Sequence, residues 1–304
     1  MWYLFGNWNL VIGASFRVSV ALLWFGGVMD RIALLAGSGQ FPSLVAQEAK
    51  RQGASVVVFG IKGWADPSLA SGVDAYEEIE VGALGHLIAR LKTHGVRHAI
   101  MAGKVTKEIL FQPPASFDAD TLCVLQSLKD ASVNALLGGI AQRLARDGIT
   151  LLDSSVFLKS SLCPVGVLTN RTPSAMEQED VRYGVQVART MASMDVGQTI
   201  LVKRQVVVAV EALEGTDAAI RRAHGLAGSG GVIVKVAASN QDRRFDLPVV
   251  GPETMKVLRE TGAACLAVEA GVTLLLDRLS LIAEANQAAI SLVGLTPSNS
   301  PKGI

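Results

Sequence analysis

Residues 31–42 read RIALLAGSGQFP, and this short stretch decides the fold class. The apolar run from Ile32 to Ala36 is typical of a strand that is buried on both faces. A glycine-containing turn follows at once, and Pro42 stands where the first turn of a helix tolerates proline. The stretch therefore predicts a buried strand, a tight turn and a helix, in that order.

The same alternation continues through the first half of the chain. Further strands are predicted at 56–60, 75–81, 98–102 and 149–152, and helices at 42–52, 83–93 and 126–146. Alternating strands and helices predict a parallel sheet that is covered by helices on both faces. We therefore expect an N-terminal Rossmann-like parallel-sheet domain over residues 29–160.

The second half of the chain follows a different pattern, and no internal repeat relates it to the first half. We expect a linker at 161–175, a C-terminal mixed α/β domain at 176–297 and a tail at 298–304. In the C-terminal domain, later strands are predicted at 232–237, 265–268, 273–277 and 290–293, and later helices at 252–261 and 279–289. The fold class is therefore α/β, with two unlike domains.

Two local signals mark the start of this second domain. Ser174 and Glu177 have the spacing of a capping box, which predicts a helix that ends near Met194. The β-branched runs 199–202 and 205–210 then predict a hairpin. The capping box thus predicts a helix and the hairpin predicts antiparallel strands, so together they favour a mixed α/β domain.

Residues 1–28 do not match the rest of the chain. They hold seven of the sixteen aromatic residues and only one charge, Arg17. Arg17 separates uncharged stretches of 16 and 12 residues, which are shorter than the roughly 20 apolar residues that span a bilayer. Because Met29 stands just before the first strand, we expect an over-extended start. An interfacial membrane anchor is the alternative.

Composition narrows the class of protein. The 304 residues carry 28 Lys+Arg and 27 Asp+Glu, a net charge of +1, which gives no support to a nucleic-acid partner. Half of the residues are hydrophobic, as in a folded protein, and the length suggests two domains. Three widely spaced cysteines form no disulfide framework, which favours a reducing compartment: Cys123, Cys163 and Cys265.

The first glycine turn and one lysine are candidate ligand-binding elements. Free backbone N–H groups and the helix dipole favour an anion beside Gly37, Ser38, Gly39 and Gln40. The dinucleotide fingerprint needs a third glycine where this chain has Pro42, so the sequence gives less support to an NAD site. Lys104 follows a predicted strand at the edge where α/β sheets bind ligands. A purely structural turn and a solvated lysine are the alternatives.

The densest polar cluster lies at residues 240–246, which read NQDRRFD. Asp242 and Asp246 supply hard oxygens for Mg²⁺, while Arg243 and the nearby Lys235 supply cations for a diphosphate. A solvated loop with a surface ion pair explains the cluster equally well.

A second acidic pair, Glu214 and Asp217, flanks Thr216 at the start of a predicted helix. Acidic and hydroxyl side chains at this position also serve as helix caps. Ligand binding and helix capping are therefore both open for this pair.

Six motifs, taken in order, resemble the LpxI family, the UDP-2,3-diacylglucosamine pyrophosphatases of lipid A biosynthesis. The motifs are LAGSGQFP at 35–42, GKV at 103–105, GVLT at 166–169, DVGQ at 195–198, EGTD at 214–217 and QDRRFDLPVVGP at 241–252. The resemblance covers about residues 30–295. Where many relatives read KGDD, this chain reads KDAS at 129–132, so the acids of that motif are not carried over.

The resemblance implies Mg²⁺-dependent hydrolysis of UDP-2,3-diacylglucosamine, in which water attacks the α-phosphorus and gives UMP and 2,3-diacylglucosamine 1-phosphate (lipid X). It also implies a homodimer and a cytoplasmic enzyme that touches the inner face of the inner membrane. Asp242 and Asp246 are the implied catalytic and metal-binding residues. The implied substrate contacts are Gly37, Ser38, Gly39, Gln40, Lys104, Glu214, Thr216, Asp217, Lys235 and Arg243.

Two other classes of function compete with this interpretation. A nucleotide-sugar or dinucleotide oxidoreductase needs a third turn glycine and an acid after the second strand, and neither Pro42 nor residues 59–61 provide them. A non-enzymatic lipid or nucleotide carrier needs an apolar groove but no metal site. Equal ligand binding with and without Asp246, and no turnover, would favour the carrier.

Overall fold

The computed structural model describes residues 31–105, 117–128, 133–237, 242–245 and 247–296. The helices are α1 (Phe41–Arg51), α2 (Leu84–Thr93), α3 (Ala119–Ser127), α4 (Val133–Arg146), α5 (Ala175–Ser193), α6 (Thr216–Ala227), α7 (Pro252–Glu260) and α8 (Arg278–Gln287). The strands are β1 (Arg31–Ala36), β2 (Ser55–Ile61), β3 (Ala75–Ile79), β4 (His98–Ala102), β5 (Thr150–Leu151), β6 (Gly166–Val167), β7 (Thr199–Lys203), β8 (Val206–Val210), β9 (Val232–Lys235), β10 (Val249–Val250), β11 (Cys265–Glu269), β12 (Leu274–Leu275) and β13 (Ser291–Leu295). The predictions for residues 1–28, for the tail and for Asp246 lie outside the described residues.

The first sheet is parallel and has the strand order β3-β2-β1-β4-β5. Its central strand, β1, is buried from Ile32 to Ala36 because helices cover both faces. Ile32 and Leu34 pack in the cluster that α1 covers, whereas Ala33 and Leu35 pack in the cluster that α2 and α4 cover. The predicted Rossmann-like parallel sheet is therefore confirmed.

The second sheet is mixed and has the order β6-β13-β11-β9-β7-β8. Strands β9, β11 and β13 are parallel, while β7 runs antiparallel to both β9 and β8. The predicted hairpin is thus confirmed. The capping box is confirmed as well, since Ser174 and Glu177 exchange side-chain to backbone hydrogen bonds at the start of α5.

The predicted linker, residues 161–175, contains β6, which pairs antiparallel with β13. Arg171 fastens this segment to the second domain. Its guanidinium donates to the Ala264 carbonyl at 3.0 Å and to Ser291 Oγ at 2.6 Å. These contacts lie more than 90 residues away in sequence, so local sequence patterns do not reveal them.

A small sheet joins the two domains. The predicted strand at 273–277 forms β12, which pairs with β10 instead of extending the second sheet. Leu274 of β12 is fully buried in the cluster that also contains Ile32 and Leu34 of the first sheet. A side chain of the C-terminal half therefore completes the core of the N-terminal domain.

Among the residues that the structure describes, no helix is both long enough and apolar enough to cross a membrane.

Removing the Leu274 side chain tests this shared core. Leu274→Ala is expected to lower the free energy of unfolding by about 2–5 kcal/mol, the usual cost of a cavity in a core. Leu279→Ala is the matched control because Leu279 is 79% exposed, and its cost should stay within about 0.5 kcal/mol. Urea unfolding followed by circular dichroism measures both values, and equal losses would show that Leu274 does not support the core.

Candidate active site

The first edge of the site lies where β1 and β4 end. In this sheet β2 lies on one side of β1 and β4 lies on the other. The connections that follow β1 and β4 therefore run in opposite directions, and a crevice opens between the carboxyl ends of these two strands. Ser38 and Lys104, which follow these strands, form an isolated antiparallel bridge. The N–H of each donates to the carbonyl of the other at 2.9 Å. Two candidate residues that the sequence places 66 positions apart are therefore brought together.

Close backbone approach at this bridge requires two glycines. A Cβ atom on Gly37 would lie 2.6 Å from the Lys104 carbonyl oxygen, and one on Gly103 would lie 2.7 Å from the Gly37 carbonyl carbon. Gly103 also has a φ of +94°, a conformation that residues with a side chain rarely adopt. The bridge leaves Gly39, Gln40 and Lys104 exposed around the start of α1, where they can meet a ligand.

The second domain reaches this edge through the turn 242–245. Ser154, which follows β5 and is 2% exposed, holds the turn in place. Its N–H donates to the Arg243 carbonyl at 2.9 Å. Its hydroxyl lies 2.8 Å from the Met101 carbonyl and 2.7 Å from the Arg244 carbonyl. One buried serine therefore connects β4, β5 and the turn that carries the predicted catalytic cluster.

The Arg243 side chain adds to this connection. Its Nε lies 3.0 Å from Asp153 Oδ2, and its Nη2 donates to Ser155 Oγ at 3.0 Å. Phe245 packs against the hydrophobic cluster of the first domain. Arg243, a predicted substrate contact, thus forms an ion pair between the domains.

Asp242 is ionised and paired. Arg244 Nε donates to its two carboxylate oxygens at 2.8 and 3.0 Å, and the Arg244 backbone N–H donates to Oδ1 at 3.1 Å. This hydrogen bonding with Arg244 holds the pKa of Asp242 below its ordinary value. The Arg244 guanidinium in turn lies 5.7 Å from the centre of the Phe245 ring. The local ion pair that the sequence left open is therefore present.

The second edge of the site lies at the end of β9, where Lys235 is 7% exposed. Lys235 Nζ donates to Thr216 Oγ1 at 2.9 Å and to Thr199 Oγ1 at 3.3 Å. Thr216 Oγ1 donates to Glu211 Oε1 at 2.7 Å. Since Thr216 begins α6 and no side chain caps that helix, a buried cation stands beside free N–H groups, which is a favourable place for an anion.

Sequence analysis missed Glu211. Burial raises the pKa of its carboxyl, but the charge of Lys235 and hydrogen bonds from neighbouring hydroxyls outweigh burial, so the pKa is lowered. A side chain on Gly197 would collide with the Glu211 carbonyl, which explains the glycine of the DVGQ motif. The available signal was an acidic residue that directly follows the apolar strand β8.

A second missed acid, Glu269, is buried at the end of β11. Its Oε2 accepts a hydrogen bond from the Ala237 N–H at 3.1 Å, and its Oε1 lies 3.6 Å from Arg189. Glu269 therefore fixes the position at which the chain leaves β9 and continues to the turn 242–245.

The acidic pair Glu214 and Asp217 is held within the second domain. Glu214 Oε1 accepts from Arg222 at 2.5 Å, and Asp217 Oδ1 accepts from Thr254 Oγ1 at 2.8 Å. Neither side chain caps α6, so the capping alternative is wrong. Their predicted contact with substrate stays a prediction.

Chain connectivity limits the distance between the two edges. Ala237 belongs to the Lys235 edge and Asp242 to the turn on the first domain. Five Cα–Cα steps of 3.80 Å separate them, so they lie at most about 19 Å apart. The described residues contain no group of three His, Cys, Asp or Glu that could hold a metal ion, and Asp246 is outside them.

The fold and the site define a two-domain α/β protein in which each domain presents a sheet edge with a lysine beside the start of a helix. The family model for the LpxI N-terminal domain matches residues 31–161, and that for the LpxI C-terminal domain matches residues 164–293. The chain therefore belongs to the LpxI family. A curated relative from Caulobacter vibrioides, named UDP-2,3-diacylglucosamine pyrophosphatase LpxI, is 30% identical over 289 residues, which are 90% of this chain and 100% of the relative.

Solved structures give weaker likenesses. The enzyme WbmG of Bordetella bronchiseptica, in complex with NAD and UDP, is 17% identical, with 42% of this chain and 37% of that chain covered and a TM-score of 0.27. CobK precorrin-6A reductase is 11% identical, with 90% and 91% covered and a TM-score of 0.29. At these TM-scores, neither likeness bears on the function of this chain.

The glycine bridge can be tested with a matched pair of variants. Gly103→Ala and Gly53→Ala both place a side chain at a φ near +90°, but only Gly103 faces backbone atoms closer than 3 Å. Gly103→Ala should therefore cost about 1–3 kcal/mol more stability than Gly53→Ala. Denaturant unfolding of both variants measures the difference. An equal cost would mean that the bridge opens to admit a side chain.

Proposed function

We propose that this chain hydrolyses the pyrophosphate bond of UDP-2,3-diacylglucosamine, giving UMP and 2,3-diacylglucosamine 1-phosphate in lipid A biosynthesis. The observation that carries the proposal is the match to a curated UDP-2,3-diacylglucosamine pyrophosphatase over that relative's entire length. Both LpxI family models also match, one on each domain. The two domains needed for such an enzyme are thus both present.

The charges of the two sheet edges support a diphosphate ligand. Lys104 is exposed at the first edge, where it pairs with no described carboxylate, and Lys235 is buried beside the start of α6 at the second edge. Cations and helix N-termini stabilise phosphoryl charge, and they do so more strongly where water is excluded. We therefore place the diphosphate between the two edges.

Asp242 has the one carboxylate among the described residues of the turn 242–245, and it is the candidate Mg²⁺ ligand there. This ion is usually held by one or two carboxylates together with substrate phosphates and water, not by a full cage of protein ligands. Asp242 is ionised, and three N–H donors of Arg244 (its backbone N–H, Nε and Nη2) make four contacts with the two carboxylate oxygens, so Mg²⁺ binding would require the Arg244 side chain to move away from Asp242. In the proposal, Asp242 and Asp246 hold Mg²⁺, which supplies Lewis-acid stabilisation of the phosphoryl oxygens.

The remaining chemistry falls to side chains of this chain. Hydrolysis requires a water molecule in line with the scissile bond and neutralised charge on the non-bridging oxygens. In the proposal, Lys104 and Lys235 bind the phosphoryl oxygens. Asp246 directly follows the turn that Ser154 fixes, and in the proposal one carboxylate of the pair Asp242 and Asp246 accepts the proton of the water that attacks the α-phosphorus.

The acyl chains of the substrate add an apolar contribution to binding. Each buried methylene is worth about 0.8 kcal/mol, so long acyl chains provide a large share of the affinity. Peripheral contact with the inner membrane and a homodimer accompany the proposal as expectations of the family resemblance.

Substitution of the two acids tests the proposed roles. Asp246→Asn and Asp242→Asn are expected to lower turnover of UDP-2,3-diacylglucosamine at least 100-fold in saturating Mg²⁺, because each removes a carboxylate from the proposed reaction centre. Asp66→Asn is the control, since Asp66 caps a short 3₁₀ helix elsewhere on the surface. Release of UMP measures the rates, and calorimetry should show that Asp246→Asn still binds substrate.

Chelation tests the metal. EDTA should abolish the wild-type rate, and added Mg²⁺ should restore it. Undiminished turnover in EDTA would contradict the metal proposal. Near-normal rates in both Asp variants would contradict the site, and an inactive wild type that still binds substrate would support a carrier.

A further inference from the structure

Glu211 has one carboxylate oxygen that nothing in the described part of the chain satisfies. Its Oε1 accepts a hydrogen bond from Thr216, whereas its Oε2 is buried and accepts none from any described residue. Buried polar atoms are nearly always hydrogen-bonded, and exceptions in folded proteins call for an explanation such as a functional role or a bound molecule.

The neighbouring cation does not satisfy this oxygen. Lys235 Nζ lies 3.9 Å from Glu211 Oε2, which is beyond hydrogen-bonding distance. The ammonium group already donates to Thr216 and Thr199 at shorter distances. Lys235 therefore keeps Glu211 ionised through its charge but leaves Oε2 available as an acceptor.

The backbone that carries the Glu211 side chain is also held in place, directly after β8. The Glu211 N–H donates to the Thr199 carbonyl at 2.9 Å, and the Gly197 backbone packs against the Glu211 carbonyl. An ionised acceptor next to a buried ammonium suits a ligand group with an O–H or N–H donor beside a phosphate. A second cation is disfavoured there because Lys235 already carries positive charge.

We propose that Glu211 is a specificity residue whose Oε2 accepts a hydrogen bond from an O–H or N–H group of the substrate. The inference rests on the proposed function and adds a contact to it. UDP-2,3-diacylglucosamine carries such donors in both halves: ribose hydroxyls and the uracil N–H in the UMP half, and sugar hydroxyls and the amide N–H in the glucosamine half. Glu211 thus recognises a non-reacting part of the substrate next to the phosphoryl groups.

Replacing the charged acceptor with a neutral one gives a defined kinetic signature. Hydrogen bonds to charged groups are stronger than neutral ones, so Glu211→Gln should raise KM for UDP-2,3-diacylglucosamine about 10-fold to 100-fold. Because the contact is made equally in the ground state and the transition state, kcat should change less than about 3-fold. Glu260→Gln is the matched control, since Glu260 is exposed at the end of α7 and should leave both constants unchanged.

Binding measurements distinguish the two sources of the donor. Calorimetry with UMP and, separately, with 2,3-diacylglucosamine 1-phosphate should show weaker binding to Glu211→Gln for one product and unchanged binding for the other. The weakened product identifies the half of the substrate that Glu211 contacts. Unchanged KM and unchanged binding of both products, with the wild type active, would overturn the inference and leave the proposed function standing.

A second variant separates recognition from an indirect effect of charge. Glu211→Asp retains the negative charge beside Lys235 but withdraws the carboxylate by one methylene, so it should show the same rise in KM, and it replaces Glu211→Gln if that variant fails to fold. If the loss in Glu211→Gln arises only from the missing charge beside Lys235, Glu211→Asp should show the wild-type KM. Such a result would overturn the inference. An inactive wild type would remove the proposed function itself.

Discussion

The buried Ser154 is the contact on which the proposed site depends. It holds the backbone of the turn 242–245, which belongs to the C-terminal half, against strands β4 and β5 of the N-terminal sheet. A hydrogen bond of this kind contributes a net of about 0.5–1.5 kcal/mol, so these contacts favour the attached turn over a detached one. Asp242, which belongs to the C-terminal half of the chain, is thereby held against the N-terminal domain.

The contact between the domains gives the proposed site two sheet edges. Lys104 and the start of α1 lie on one domain, and Lys235 and the start of α6 lie on the other. Each edge supplies one of the two lysines, so only the two edges together bring both cations to the turn 242–245. Because the chain between Ala237 and Asp242 is at most about 19 Å long, the edges cannot separate far, and a diphosphate bound at both would draw on both domains.

Periodicity and turn chemistry were sufficient to predict most of the fold. The parallel sheet, the capping box at Ser174 and the hairpin β7–β8 all follow from patterns within about 20 residues. Strands β6 and β10 were missed because each has only two residues and pairs with a distant partner. A local pattern carries no information about such pairings.

The same limit applies to the site. The approach of Ser38 to Lys104 could be anticipated, since both follow strands whose carboxyl ends meet at one edge. The roles of Ser154 and Glu269 could not, because each depends on a contact across 32 to 90 residues with a backbone group that has no sequence signature of its own. Glu211 offered only the signal of an acid directly after an apolar strand. Asp242 was found from its motif. The sequence left open whether this residue forms a local ion pair, and the structure shows that it pairs with Arg244.

Hydrolysis in ¹⁸O-labelled water tests the central claim most directly. The full chain, UDP-2,3-diacylglucosamine and Mg²⁺ are combined, and mass spectrometry determines which product carries the label. Attack of water on the α-phosphorus predicts one ¹⁸O atom in UMP and none in 2,3-diacylglucosamine 1-phosphate. Label in the sugar phosphate would contradict this account of the reaction, and the absence of both products would contradict the assigned activity.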